Sequence, residues 1–240
     1  MMSDGTDLKV IFFDAAGTLI EVRGSVGEIY SRVAREFGFE AEPDILQQNF
    51  AYSFQRQPPL AFPAVTPDAM LIELEKGWWR NLMREVFSGP GPFPRFDEFF
   101  DEIFERFRSR ESWRVYEDVA PALTELKHRG LKLGIISNFD SRLYDVLRAC
   151  GLDRFFDSIH VSTRVGAAKP DPAIFQAALN YHAVEPWQAW HVGDGLREDV
   201  EGAMTAGINA ILLDRNNRFA ENAPATRITS LNQLVTLFEL

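Results

Sequence analysis

Cysteine is nearly missing from this chain, which holds one, Cys150, in 240 residues. A single thiol rules out an intramolecular disulfide and fits a reducing compartment. It lies in LYDVLRACGL, a helical pattern ending at Gly151, where a small buried side chain is expected. Long apolar runs are missing too. No stretch approaches the roughly 20 residues that span a bilayer, and MMSDGTDLKV lacks the apolar segment of a signal peptide. Basic runs are absent: Lys and Arg number 25 against 35 Asp and Glu, a formal charge of −10. Such a surface repels nucleic acid phosphates and anionic lipid, so no nucleic acid and no membrane partner is expected. The expectation is a soluble, cytoplasmic protein.

What the chain does contain is a series of short β-rich runs: KVIFF (9–13), KLGIIS (132–137), SIHVS (158–162), AWHV (189–192) and AILL (210–213). They are near-continuous apolar stretches, the pattern of strands covered on both faces. From residue 118 onward they alternate with helical patterns: VAPALTELKHRG runs into Gly130, PDPAIFQAALNY opens on prolines, and LREDVEGAMTAG stops at Gly207. That alternation predicts βαβ units and one parallel sheet, an α/β fold with helices on both faces.

Residues 22–113 differ. No strand run is found there, only helical periodicity broken by RQPPLAFP and SGPGPFP. TPDAMLIELEKGWWRNLMREVF offers Thr66 as N-cap, Pro67 at the first helical position and an apolar stripe at 70, 74, 78, 82 and 86. FDEFFDEIFERF sets Phe96, Phe99, Phe100, Ile103, Phe104 and Phe107 on one face, expected to be core. Of Trp78 and Trp79, one should face the core and the other be exposed for binding. The chain is expected to return to the sheet near VYEDV (115–119).

In a parallel sheet, ligands sit beyond the carboxyl ends of the strands. There the first run ends in Asp14, followed by Ala-Ala-Gly-Thr. KLGIIS ends in Ser137 and Asn138, and AWHV leads to Gly193 and Asp194, with Glu198 and Asp199 beyond. Lys169 lies in GAAKPDP, the loop after SIHVS. Each residue singly has a structural use, as helix cap, turn or solvated loop residue. Together, carboxylates, a hydroxyl and a lysine at one sheet edge suit a divalent metal and a phosphoryl group.

FFDAAGTLI, IISNFD, AAKPDPAIF and HVGDGLREDVEGA resemble the four ordered motifs of the haloacid dehalogenase superfamily of hydrolases. The resemblance covers residues 8–20 and 115–215. It implies a Rossmann-like core, residues 1–21 and 114–240, with an inserted all-helical cap domain over 22–113. It also implies a two-step transfer through an aspartyl intermediate. Asp14 would be nucleophile and metal ligand, and the backbone carbonyl of Ala16 a ligand. Ser137 and the N–H of Asn138 would hold the phosphoryl oxygens, and Lys169 would neutralise charge. Asp194 would bind Mg²⁺, the implied cofactor, with Asp199 ligating or supporting it. The substrate would be a small phosphorylated molecule.

Ala16 stands where the family's phosphatases usually carry a second Asp, a general acid–base. Three readings follow: a Mg²⁺-dependent hydrolase that acts on a good leaving group or works slowly, a carbon-centred hydrolase of the dehalogenase or phosphonatase kind, or a binding or regulatory protein without turnover. The phosphonatase kind uses a cap lysine, for which Lys76 is the sole candidate between Glu21 and Arg114. His128, His160, His182 and His191 show no metal-ligand spacing. His191 is expected as a packed strand residue near the site, and Arg197 as substrate-facing or solvated. Arg23 and Gly24 lie where a hinge would let the cap close.

Overall fold

The computed structural model describes residues 7–89, 91–219 and 224–237; the start of MMSDGTDLKV lies outside them. Its strands are β1 (Val10–Phe13), β2 (Ile20–Val22), β3 (Trp113–Val115), β4 (Lys132–Ser137), β5 (Ser158–Val161), β6 (Ala189–Gly193), β7 (Asn209–Leu213) and β8 (Thr226–Ile228). Six of them form one parallel sheet in the order β5-β4-β1-β6-β7-β8. From β1 the chain builds outward through β4 to β5, then crosses back to place β6 on the other flank of β1. The sheet is therefore Rossmann-like, and β1 sits where the strand order reverses, the place where such sheets open a crevice at their carboxyl edge.

β1 is buried throughout yet still alternates. Ile11 and Phe13 pack into a cluster with helices α5 (Val119–His128), α6 (Arg142–Ala149) and α10 (Leu231–Thr236). Val10 and Phe12 pack on the opposite face with α8 (Pro172–His182) and α9 (Gly202–Thr205). At about 1.5–3 kcal/mol per fully buried large apolar side chain, both faces hold β1 rigid at the strand that delivers Asp14.

Between β2 and β3 lie α1 (Val26–Glu36), α2 (Pro43–Arg56), α3 (Asp68–Val86) and α4 (Phe96–Arg106). Ser25 and Glu28 form a capping box that starts α1. These helices share their own apolar cluster, with Phe99, Phe100, Ile103 and Phe104 buried in it and Phe96 and Phe107 at its margin. Phe39 stacks on Phe93 with ring centroids 4.3 Å apart. A short helix, α7 (Ser162–Val165), follows β5. No described helix is long and apolar enough to cross a membrane.

The structure corrects three expectations. VYEDV does not rejoin the six-stranded sheet: Val115 ends β3, which pairs antiparallel with β2, Ile20 opposite Val115. This ribbon carries the chain into and out of the helices, and three residues per strand are too few to show a period. α3 starts at Asp68 rather than at Pro67, because Thr66 spends its hydroxyl on the carbonyl of Pro63 instead of capping. The inward stripe of α3 is Leu71, Glu75, Trp78, Leu82 and Val86, so a glutamate faces inward and Met70 is exposed.

Candidate active site

Phe13 of β1 is level with Ile135 of β4 and Val192 of β6. The residues that follow therefore leave the sheet on one edge: Asp14, Ser137 with Asn138, and Asp194. The backbone N–H of Asp14 donates to the carbonyl of Val192 (2.9 Å), which ties the turn after β1 to β6. Lys169 arrives from the loop after α7, and Asp199 from a π-helical turn, Leu196–Glu201, that runs into α9.

These side chains meet. Lys169 Nζ donates to Asp14 Oδ1 (2.7 Å) and to Asp199 Oδ1 (2.5 Å), and Ser137 Oγ donates to Asp14 Oδ1 (3.1 Å). Asp199 also accepts from the N–H of Gly195 (2.9 Å) and pairs with His191 Nε2 (2.9 Å). Asn138 clamps the lysine loop through two hydrogen bonds to the backbone of Lys169, at 2.9 and 2.7 Å. Two glycines permit the close approach. A Cβ on Gly193 would lie 2.1 Å from the Asp199 carboxyl carbon, and one on Gly17, whose φ is +90°, would lie 2.7 Å from Asp194 oxygens.

Burial dominates the electrostatics. It raises Asp14 above its usual carboxylate range, with Lys169 opposing and the Asp199 charge adding to the rise. Asp194 is pushed up to about 6 by burial and by the charges of Asp14 and Asp199, against the Arg218 guanidinium. Asp199 goes the other way: burial opposes its charge, but Lys169 and His191 outweigh it and hold the carboxyl low. Burial would strip Lys169 of its proton, yet the two aspartates keep it charged and its pKa raised. His191 is lowered by burial and stays neutral.

Among the described residues, Asp14, Asp194 and Asp199 offer carboxylate oxygens all within 4.8 Å of one another. An oxygen-only donor set suits a hard divalent cation such as Mg²⁺. Both oxygens of Asp199 are already engaged, by Lys169, His191 and Gly195, so its geometry suits support of the cluster better than direct ligation.

A family profile for haloacid dehalogenase-like hydrolases matches residues 8–207. The chain belongs to this hydrolase family. It is 34% identical over 214 residues to haloacid dehalogenase-like hydrolase domain-containing protein 3 of Mus musculus, covering 88% of this chain and 84% of that one. It is 33% identical over 173 residues to a phosphoserine phosphatase of Thermus thermophilus, covering 70% and 69%. The crystal structure of a HAD phosphatase from Thermococcus onnurineus superposes with a TM-score of 0.68 at 26% identity, covering 96% and 97%.

Asp194 of this hydrolase borders a cavity of about 700 Å³. Ala16, Gly17, Asn138, Asp194 and Arg218 line its floor, and aromatic side chains from α2, α3 and α4 line its upper part. Ala16 is exposed and lines it, and an alanine side chain cannot exchange a proton.

Arg218 is a site residue that the sequence reading missed. Its guanidinium donates to Asp194 Oδ2 at 2.9 Å from 24 residues further along the chain. The loop bearing it is folded by Asp214, which accepts from the N–H groups of Arg218 (2.8 Å) and Phe219 (3.0 Å). An aspartate closing the run AILLD was the one available signal.

The other candidates separate. Trp78 is buried, whereas Trp79 lies half-buried on the cavity wall and donates to Asp140 Oδ2 (2.6 Å), so it is not a free surface residue. Arg197 is solvated. Lys76 Nζ sits 5.6 Å from the Phe104 ring and is not part of the cavity wall. Cys150 is half-buried, its thiol pushed up by burial.

Proposed function

We propose that this hydrolase cleaves a small phosphorylated molecule by transferring its phosphoryl group to Asp14 and then to water, with Mg²⁺ at the acidic cluster. The observation that carries the reading is Asp14 Oδ1 held jointly by Lys169 and Ser137, next to a cavity lined by Ala16, Asn138 and Asp194. The likeness to a phosphoserine phosphatase points the same way.

In the first step an Asp14 oxygen attacks phosphorus, and the bond to the leaving oxygen breaks with its electron pair. Ser137 Oγ and the N–H of Asn138 hold the phosphoryl oxygens. Lys169 keeps Asp14 ionised despite burial and offsets charge as the phosphoryl group transfers. Asn138 fixes Lys169 through its backbone, and Asp199 fixes the ammonium. Mg²⁺, held by Asp14, the Ala16 carbonyl and Asp194 with Asp199 behind, would draw the phosphate in and neutralise charge on its oxygens. Water then releases phosphate and regenerates Asp14.

Residues 22–113 act in this reading as a cap over a core of residues 1–21 and 114–240, because α2, α3 and α4 roof the cavity. Arg23 and Gly24, the latter at φ +77°, stand at the crossing where a hinge would open it. The single cysteine keeps the cytoplasm as the proposed compartment.

Ala16 limits the chemistry. Loss of a positioned general acid–base costs about 10²–10⁴ in rate, roughly 3–5.5 kcal/mol of barrier. The reading therefore requires a leaving group that departs with little protonation. Ala16 also keeps a carbon-centred alternative in play, but its phosphonatase form needs a cap lysine, and Lys76 is turned onto Phe104. The test is Mg²⁺-dependent phosphate release from acetyl phosphate and p-nitrophenyl phosphate, beside Asp14→Asn. Release abolished by EDTA and by the variant supports the reading. Turnover that survives either treatment overturns it.

A further inference from the structure

The upper half of the cavity has an unusual electrostatic character: it contains charged side chains, yet none is free. Arg142 is committed to partners, its Nε and Nη2 on Asp140 at 2.9 and 2.6 Å and its Nη1 on the carbonyl of Phe104 at 3.1 Å. Glu21 is paired with Arg114. The indole N–H groups are occupied as well, Trp79 on Asp140 and Trp113 on the carbonyl of Phe107 (2.9 Å). The Gln47 amide oxygen accepts from the N–H of Gly27 (3.0 Å), and most of the remaining wall is apolar, with rings such as Phe50, Phe54, Phe100 and Phe104.

One further polar group is buried among those rings. Tyr30 lies on the wall with only 2% of its surface exposed, edge-on to Phe50 and Phe107. Its hydroxyl makes no hydrogen bond among the described residues. Tyr30 lines the cavity, so its hydroxyl is available to a ligand there. Phenylalanine would fill the same space but offer a ligand no polar partner.

We propose that the substrate of this site carries a flat, uncharged aromatic body, seated among the cap rings, with a neutral polar atom that hydrogen-bonds the Tyr30 hydroxyl. The inference rests on the phosphoryl-transfer reading for the orientation of the ligand, phosphate on the floor and ring in the roof. A volume of about 700 Å³ suits such a molecule, since cavities of roughly 300–1,000 Å³ enclose ligands of drug size. A small zwitterionic phosphate ester fits poorly, because its ammonium and carboxylate would be desolvated with no free counter-charge.

The inference can be tested apart from turnover. Wild-type protein in Mg²⁺ buffer is titrated calorimetrically with methylphosphonate, 2-naphthylmethylphosphonate and its 6-hydroxy derivative, none of which is hydrolysed. The naphthyl compound should bind about tenfold or more tighter than methylphosphonate, from buried ring area. The 6-hydroxy derivative should gain about fivefold further in wild type and lose that gain in Tyr30→Phe, one hydrogen bond's worth. Equal affinity of the methyl and naphthyl compounds overturns the aromatic body. A 6-hydroxy gain that is absent in wild type or retained in Tyr30→Phe overturns the role of Tyr30. Acetyl phosphate turnover, measured in parallel, reports on phosphoryl transfer alone, so ring binding without turnover would separate the two claims.

Discussion

Lys169 and Asp14 form a buried ion pair, Nζ to Oδ1 at 2.7 Å, in which the lysine also holds Asp199. One ammonium thus serves two carboxylates, while Asp194 shares the pocket with only the half-exposed Arg218 to balance it. The cluster keeps an excess of negative charge, which a divalent cation would relieve.

That excess makes a stability prediction. Asp14 has a folded-state pKa above its ordinary value, so above pH 4 its ionised form costs the metal-free protein stability rather than adding to it. Asp14→Asn should therefore melt no lower than wild type without metal. Mg²⁺ at about 100 times its Kd should stabilise wild type by about 2.7 kcal/mol and the variant by clearly less. Calorimetric melting with EDTA and with Mg²⁺ checks both arms; equal gains in the two proteins would remove Asp14 from the metal site.

Asp194 supplies the pH dependence. With its pKa at about 6, it takes up a proton as the pH falls through that value, whereas metal binding needs the bare carboxylate. Mg²⁺ affinity should be flat at and above about pH 7 and fall about tenfold per pH unit below about 6. Arg218→Ala removes the one cation that opposes the shift and should move the inflection upward. Titration calorimetry from pH 5 to 8 reads both, and a flat profile would contradict the assignment.

Restoring the missing acid is the direct trial of Ala16. Ala16 is exposed and lines the cavity, so Ala16→Asp is not sterically blocked by a buried environment. Hydrolysis of phenyl phosphate, a poor leaving group, should rise about tenfold or more, and that of acetyl phosphate much less. Equal gains on both would mean that protonation is not what Ala16 limits.

Glu75 of α3 accepts from the N–H and hydroxyl of Ser141 (3.0 and 2.9 Å) and from Thr163 Oγ1 (2.6 Å). This one carboxylate pins α3 to the loop after β4 and to α7. Glu75→Ala strands those donors and should cost about 1–3 kcal/mol, measurable by urea unfolding. Loss below 0.5 kcal/mol would mean that water replaces it at about no cost.

Much of this was legible in the sequence because strand ends are local. Asp14, Ser137 and Asp194 each close an apolar run, and a parallel sheet aligns such ends on one edge. The inward stripe of α3 was misread because both registers share positions 78, 82 and 86, and only tertiary packing decides between Met70 and Leu71. Arg218 and the unpaired Tyr30 hydroxyl were invisible for another reason. Each owes its place to partners far along the chain, and neither sits in a periodic pattern that points to it.

The central claim is that Asp14 becomes covalently phosphorylated. Wild-type protein should be mixed with acetyl phosphate and Mg²⁺, quenched in acid within the first turnovers, and its peptides weighed by mass spectrometry. The account predicts a mass gain of one phosphoryl group on the peptide containing Asp14, absent in Asp14→Asn and absent with EDTA. Steady phosphate release with no label on that peptide at any quench time, or with the label on another residue, would contradict it.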